Sequence, residues 1–302
     1  MGRVATAGRV DRGRRAASTA GRALAFVARD PALAFASAIV VVLVGLAVVG
    51  RLAWQYDSLT VDVENALEPP SWDHPMGTDG NGRDVFARFN EGAGISLLAG
   101  AVVVGLGAIV GGLIGVVAGI GRRLTDSAWM RVLDAILAFP PLILAMAVTV
   151  GLGVGVRSAV LGIALTTVPY YARLLRTDIL RIRALPHVEA AVALGATRTR
   201  IVQRHILPHA SSAMLIQSAA VFGYAILTLA ALGFVGLGAQ IPEPEWGSMI
   251  TDGLQYALTG QWWIAVFPGL GLLAAVTAAN VFADRARDLL DPRGEIAVAR
   301  ET

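Results

Sequence analysis

The chain has 302 residues, 55% of them apolar and only 16% charged, a balance that excludes an ordinary soluble domain and points to a membrane protein. It has no cysteine, which excludes disulfides, thiolate zinc sites, iron–sulfur clusters and cysteine nucleophiles. All 25 basic residues are arginine, and without a lysine the chain cannot build a standard Walker A phosphate loop.

Residues 1–31 carry seven Arg against Asp11 and Asp30 and read as a basic cytoplasmic tail. Residues 32–50 are uncharged. As a helix they reach about 28 Å at ~1.5 Å per residue, close to the ~30 Å hydrocarbon core, so they are the first span. In residues 51–94 the balance reverses, with acidic residues such as Asp57, Asp62, Glu64 and Glu68 outnumbering three Arg, and this segment is placed outside. A five-helix core is expected over 95–284. Its first helix is Ile95 to Ile120, in which Gly107, Gly111, Gly115 and Gly119 recur every fourth position. That spacing puts them on one helical face, a ridge without side chains that a neighbouring helix can approach closely.

Gly121 to Arg131 returns the chain to the cytoplasm, and Ala135 to Val156 is read as a third span kinked at Pro140-Pro141. Arg131 and Asp134 lie one turn apart at its entrance, where they can pair; Asp134 lining a path is the alternative. Ser158 to Leu175 forms a shorter fourth span. The uncharged run Ala210 to Pro242 exceeds what one span needs, so a fifth helix leads into an external segment marked by Glu243, Glu245 and Asp252. A sixth span lies within Gly253 to Ala283, with Trp262 and Trp263 as interfacial anchors, and residues 285–302 form a cytoplasmic tail. Twenty-one of the 25 Arg then fall inside, with Arg51, Arg83, Arg88 and Arg157 elsewhere, which places both termini in the cytoplasm.

Residues 176–209 interrupt this apolar pattern. Six Arg within it (176, 181, 183, 198, 200, 204) and Arg173 just before it cannot lie at the bilayer centre, where each would cost at least ~2.5–3.5 kcal/mol, so the segment is a soluble loop. Within it, EAAVALGATRTRIVQRHILP (189–208) reads as a small-residue helix, a bend at Gly195, and a second helix. That second helix gathers Ile201, Val202, Ile206 and Leu207 on one face and is stopped by Pro208.

The order Glu189-Ala190-Ala191, Gly195, then Leu207-Pro208 resembles the EAA loop of ABC importer permeases. The resemblance implies a coupling helix that docks in a cleft of a cytoplasmic ATPase, with Glu189, Ala190, Ala191, Gly195, Arg198, Leu207 and Pro208 as the coupling residues. HPMGTDGNGRDVFARF (74–89), LGFVGLGAQIPEPEWGSM (232–249), WWIAVFPGL (262–270), Asn280 and RDLLDPR (287–293) are similar to the C-type permease subunit of dipeptide, oligopeptide and nickel importers. The likeness covers roughly residues 72–293 and departs at Gly80-Asn81, Asn90, Glu91 and Gly94.

It implies an all-α bacterial inner-membrane protein with six transmembrane helices in the type I ABC importer permease fold. Its implied partners are a homologous second permease, two ATPase domains that bind ATP and Mg, an external substrate-binding protein and membrane lipid. Peptides are the leading implied cargo, with nickel complexes, haem or other small solutes as alternatives, and Gly236, Gly238, Pro242 and Trp246 fall in the segment facing the binding protein. The chain itself carries no cofactor and binds no nucleic acid in this reading.

No enzyme site emerges. His205 and His209 are four apart but Pro208 separates them, the Glu of HExxH is missing, and no GxSxG frames a nucleophile. The spans are nearly free of ionisable groups, which argues against a proton-coupled carrier or a voltage sensor.

Overall fold

The computed structural model describes residues 30–290, so all but the last two residues of the basic tail, and residues 291–302 of the C-terminal tail, lie outside the described residues. Helix α1 (Pro31–Gly45) starts where Asp30 Oδ1 accepts from the amides of Ala32 and Leu33 at 2.9 and 3.3 Å and Pro31 occupies the first turn. It continues through a π-helical turn at Leu46–Gly50 into Arg51–Ala53. Helix α2 (Val85–Ile120) begins ten residues before the expected Ile95, so Val85 to Gly94 are helix rather than loop. Asp84 sets the start, its Oδ1 accepting from Ala87 N at 2.6 Å.

The third span departs from expectation. It is two helices, α3 (Arg123–Leu137) and α4 (Pro141–Leu152), that meet at 89° rather than one kinked rod. Pro140 cannot donate to a helical ladder and Pro141 is suited to a first turn, so the chain ends one helix and starts another. With 12 residues, α4 reaches about 18 Å and cannot cross the core alone. Helix α5 (Val156–Arg183) runs eight residues past Leu175. The short helices α6 (Pro186–Ala193) and α7 (Arg198–Ile201) follow, then a π-helical turn at Val202–Ile206, α8 (Leu207–Phe234), α9 (Trp246–Ala257) and α10 (Trp263–Leu290). Among the described residues five helices are long and apolar enough to cross a membrane, and the bent pair α3–α4 makes six if it counts as one crossing.

The stop expected at Pro208 is absent, because helix continues from Arg198 through the π turn into α8. Pro208 lacks an N–H and its ring crowds the preceding turn. The widened turn lies where that strain falls, and Pro208 then serves as a first-turn residue of α8.

Helices α2 and α5 form the centre. A Cβ built on Gly107 would lie 2.3 Å from Thr167 Oγ1, on Gly111 2.5 Å from the Val168 carbonyl, on Gly115 2.7 Å from the Ala172 carbonyl, and on Gly119 2.9 Å from Ile179 Cγ2. All four positions face α5: its backbone occupies the volume a side chain would need at Gly111 and Gly115, and the side chains of Thr167 and Ile179 occupy it at Gly107 and Gly119. Pro169 removes one amide from α5, and in that turn the Thr166 and Thr167 hydroxyls donate to the Ile163 and Ala164 carbonyls at 2.7 and 2.8 Å. Tyr171 donates its hydroxyl to Ser218 Oγ at 3.0 Å, tying α5 to α8. Ion pairs then clip α3 to α5. Arg176 holds Asp126 through two bonds of 2.5 and 2.7 Å, and Arg173 holds Asp134. The local Arg131–Asp134 pair is therefore corrected: the carboxylate is taken by a guanidinium on the neighbouring helix.

The external end is sealed by polar contacts. His74 Nδ1 lies 2.7 Å from Asp84 Oδ2, and the Trp54 indole donates to Asp84 Oδ1 at 3.0 Å. Asp79 accepts from the Asn81 and Arg83 amides at 2.8 and 3.0 Å and from Arg83 Nε at 2.7 Å. Buried Arg88 reaches the carbonyls of Ser58 and Pro242 at 3.2 and 3.3 Å, and Trp263 Nε1 donates to the Thr78 carbonyl at 3.1 Å. Gly82 stands at φ +71° with the Asp62 carbonyl 1.6 Å from where a Cβ would be, so only glycine fits. Below this layer Glu245 is fully buried as the N-cap of α9, accepting from Gly247 N (2.9 Å), Ser248 N (3.1 Å) and the Ser96 hydroxyl (3.3 Å). Burial pushes its carboxyl above the usual carboxylate range, while the two amides and Ser96 pull the other way.

Two outcomes are expected. Gly111→Leu should destabilise the detergent-solubilised protein by at least the ~1–3 kcal/mol of an overpacked core, whereas Gly105→Leu, with nothing within 4 Å of the added Cβ, should be near neutral. Equal thermal midpoints for the two would contradict the close approach. A raised carboxyl favours the folded state fully below the ordinary carboxyl range and loses that contribution as pH rises through the shifted value. The midpoint should therefore fall less in Glu245→Gln than in the parent protein between about pH 4 and about pH 8. Parallel slopes would mean that Glu245 ionises normally.

Candidate coupling loop and external face

At the cytoplasmic end, α6 terminates by a left-handed cap. Ala196 N donates to the Ala191 carbonyl at 3.0 Å across Gly195, which stands at φ +80°. Nothing lies within 4 Å of a Cβ built on Gly195, so the constraint there is on the backbone and not on space. Left-handed backbone costs a residue with a Cβ roughly 1–2 kcal/mol. Thr197 then opens α7, its carbonyl accepting from Ile201 N at 3.0 Å and its hydroxyl from Arg200 N at 3.4 Å.

The loop is seated by its apolar residues. Val188, Ile201 and Ile206 are buried against Leu175, Ile179 and Ile182 of α5. Arg183 Nη1 donates to the Gly119 carbonyl at 2.8 Å, satisfying a C-terminal carbonyl of α2 and fixing the end of α5 beside it. A cleft of about 400 Å³ remains between Arg183, Glu189, Ile120 and Val202.

Away from Ile120 and Val202 the loop is open, with Glu189 at the edge of the cleft. Glu189, Ala190, Ala193 and Gly195 are exposed, Ala191 is half-buried, and Leu194 is 88% exposed. Pro208 is exposed in the first turn of α8, Arg198 opens α7, and Leu207 begins α8. Ala190, Ala193, Leu194 and Gly195 are thus exposed together on α6 and its cap, and the intervening α7 and π turn separate Leu207 and Pro208 from them. Leu194 was missed in the sequence, where an apolar residue among Ala and Val carries no signal of exposure.

At the external end, Gly236 and Pro242 are exposed, with Gly236 at φ +78°. Gly238 and Trp246 are buried, and here the sequence reading needs correction. Trp246 is 0% exposed; its indole donates to the Phe89 carbonyl at 3.2 Å and its ring lies 5.5 Å from that of Phe89. A Cβ on Gly238 would approach Gly233 Cα to 2.6 Å. Both are packing residues of the external cap. Among the described residues no group of three His, Cys, Asp or Glu could hold a metal ion.

Residues 111–295 match the family model described as the binding-protein-dependent transport system inner membrane component. The chain is 38% identical over 275 residues to the probable D,D-dipeptide transport system permease protein of Escherichia coli (strain K12), covering 90% of this chain and 92% of the relative. It is 40% identical over 229 residues to the dipeptide transport system permease protein of Alkalihalophilus pseudofirmus, covering 76% and 75%. With the glutathione transport system permease protein of E. coli O1:K1 it shares 37% identity over 259 residues, 85% of each. Among solved structures, the inward-facing MetNI methionine ABC transporter aligns at TM-score 0.52 with 21% identity, over 65% of this chain and 94% of that one. An amino acid ABC transporter with histidines aligns at 0.51 with 17% identity, over 67% and 94%. The helical bundle accordingly has the type I ABC importer permease fold. Its apolar spans, its polar cytoplasmic loop and these matches lead to one conclusion: the chain belongs to the binding-protein-dependent transport system inner-membrane components, as a multi-pass permease subunit of the bacterial inner membrane.

Proposed function

We propose that this permease moves peptides inward in an ATP-driven importer, and that the surface from Glu189 to Gly195 receives the ATPase. The assembly in this reading comprises a second, homologous permease, two ATPase domains that bind ATP and Mg, and an external protein that delivers the peptide. The observation that carries the coupling role is the capped helix itself. Its Val188 is buried against α5, while Ala190, Ala193 and Leu194 are exposed. A rigid connection of that kind transmits a push from the ATPase into α5 and, through Arg183 and Gly119, into α2. The dipeptide and glutathione relatives support peptides as the cargo. The exposed Gly236 and Pro242 are the part of the external segment left for the delivering protein.

The test uses the assembled importer in membranes, measuring both ATPase co-purification and ATP-dependent peptide uptake. Leu194→Asp alters an exposed side chain and should leave the fold intact while reducing both readouts by about tenfold or more, the scale of losing one buried apolar anchor. Glu189→Arg should act in the same direction. Gly195→Pro, which cannot adopt a positive φ, should abolish docking. Normal uptake in all three variants would remove the loop from the coupling mechanism.

A further inference from the structure

A groove of about 520 Å³ runs between the outer parts of α2 and α5. Its walls are apolar, with Leu98, Val102 and Leu106 on α2 and Val160 and Leu161 on α5. Three ionisable side chains line it: Glu91, Arg157 and Glu243. Below them the wall offers no charge.

Arg157 is not explained by folding. It sits in the first turn of α5, where the helix already presents its positive end, no acidic residue accompanies it and Gly155 gives no side-chain cap. A cation there slightly weakens the helix. Among the described residues Arg157 is exposed and makes no ion pair. Glu91 is different: its carboxylate accepts from the Ser58 hydroxyl, so it is held in place. It also lines a neighbouring external cavity of about 410 Å³ beside Trp54 and Tyr56, and thus stands on the lip common to both spaces.

We propose that this groove is the subunit's share of the substrate path, and that its rim reads the two ends of a short peptide with free termini and uncharged side chains. Arg157 takes the terminal carboxylate, Glu91 and Glu243 take the terminal ammonium, and the side chains lie on the apolar wall. The charge pattern is complementary to a zwitterion, and the volume falls in the ~300–1,000 Å³ range of small-ligand sites. A peptide with charged side chains would have to leave their hydration on a wall with nothing to replace it. The inference rests on the peptide-importer reading and adds which residues meet the peptide.

The absence of cysteine makes a direct test available. Leu98→Cys, at a position 66% exposed on the groove wall, places a single thiol there. Its labelling by a neutral maleimide is followed in membranes containing the complete importer with ATP, with trialanine as the probe in free, C-amidated and N-acetylated forms. Free trialanine should slow labelling about tenfold, the scale of one charge-assisted contact, and the two blocked forms should protect less. Arg157→Gln should remove the advantage of the free form over the amidated one, and Glu243→Gln its advantage over the acetylated one; both positions are exposed, so folding is not at stake. Unprotected labelling while ATP-dependent trialanine uptake continues would take the groove out of the path. A thiol that never reacts would mean that the second permease covers it, and unchanged discrimination in both variants would show that the rim does not read termini. Absence of ATP-dependent trialanine uptake would overturn the peptide-importer reading itself, and this inference with it.

Discussion

The distance between α2 and α5 governs the rest of the molecule. In hydrocarbon two apolar helices gain nothing from leaving water, so adhesion comes from surface contact and rises as backbones approach. The ridge from Gly107 to Gly119 leaves four positions without side chains, and α5 backbone at Gly111 and Gly115 and the Thr167 and Ile179 side chains at Gly107 and Gly119 fill the space. Because the pair runs the depth of the bundle, it carries the external groove at one end and the cytoplasmic loop at the other. A shift of α5 against α2 would therefore be felt at both.

The ends of the pair are fixed by polar contacts that hydrocarbon would not permit. At the cytoplasmic end Arg183 closes on the Gly119 carbonyl, and Asp126 and Asp134 tie α3 to the same helix. At the external end the HPMGTDGNGRDVFARF segment spends its charges within the subunit: His74 on Asp84, Arg83 on Asp79, and Arg88 on the carbonyls of Ser58 and Pro242. Gly77 and Gly82 stand where the Glu68 and Asp62 carbonyls leave no room for a side chain, and Gly80 stands against the Tyr256 ring. This segment braces the external loops against α2 and α10. Arg157 and Glu243, exposed on the groove rim, are charges left to meet another molecule.

Several features could be read without coordinates because their cause is local. Spans follow from runs without charge, the exclusion of the Arg-rich loop from the membrane follows from the cost of burying cations, and the bend at Gly195 follows from the one residue type that enters left-handed backbone freely. The four-residue glycine spacing is likewise a property of one helix. Other features depend on which elements become neighbours. Asp134 has a basic residue one turn away in sequence, yet Arg173 reaches it from α5. Trp246 sits in a segment of external character, yet it fills the space beside Phe89. Pro208 is a helix terminator by local rules, and a widened turn lets the helix pass it.

The sequence by itself thus determined an all-helical membrane protein, the approximate position of five of its crossings, the polarity of its loops and the one surface segment with a recognisable pattern. Those properties depend on the solvation of each residue and on helix periodicity, both of which are legible along a single chain. The tertiary structure decided the right-angle break between α3 and α4, the burial of Trp246 and Gly238, the exposure of Leu194 and the meeting of Glu91, Arg157 and Glu243 around one groove. These depend on contacts between residues far apart in the chain, and whether a given side chain is enclosed or left open is settled only when the helices are packed.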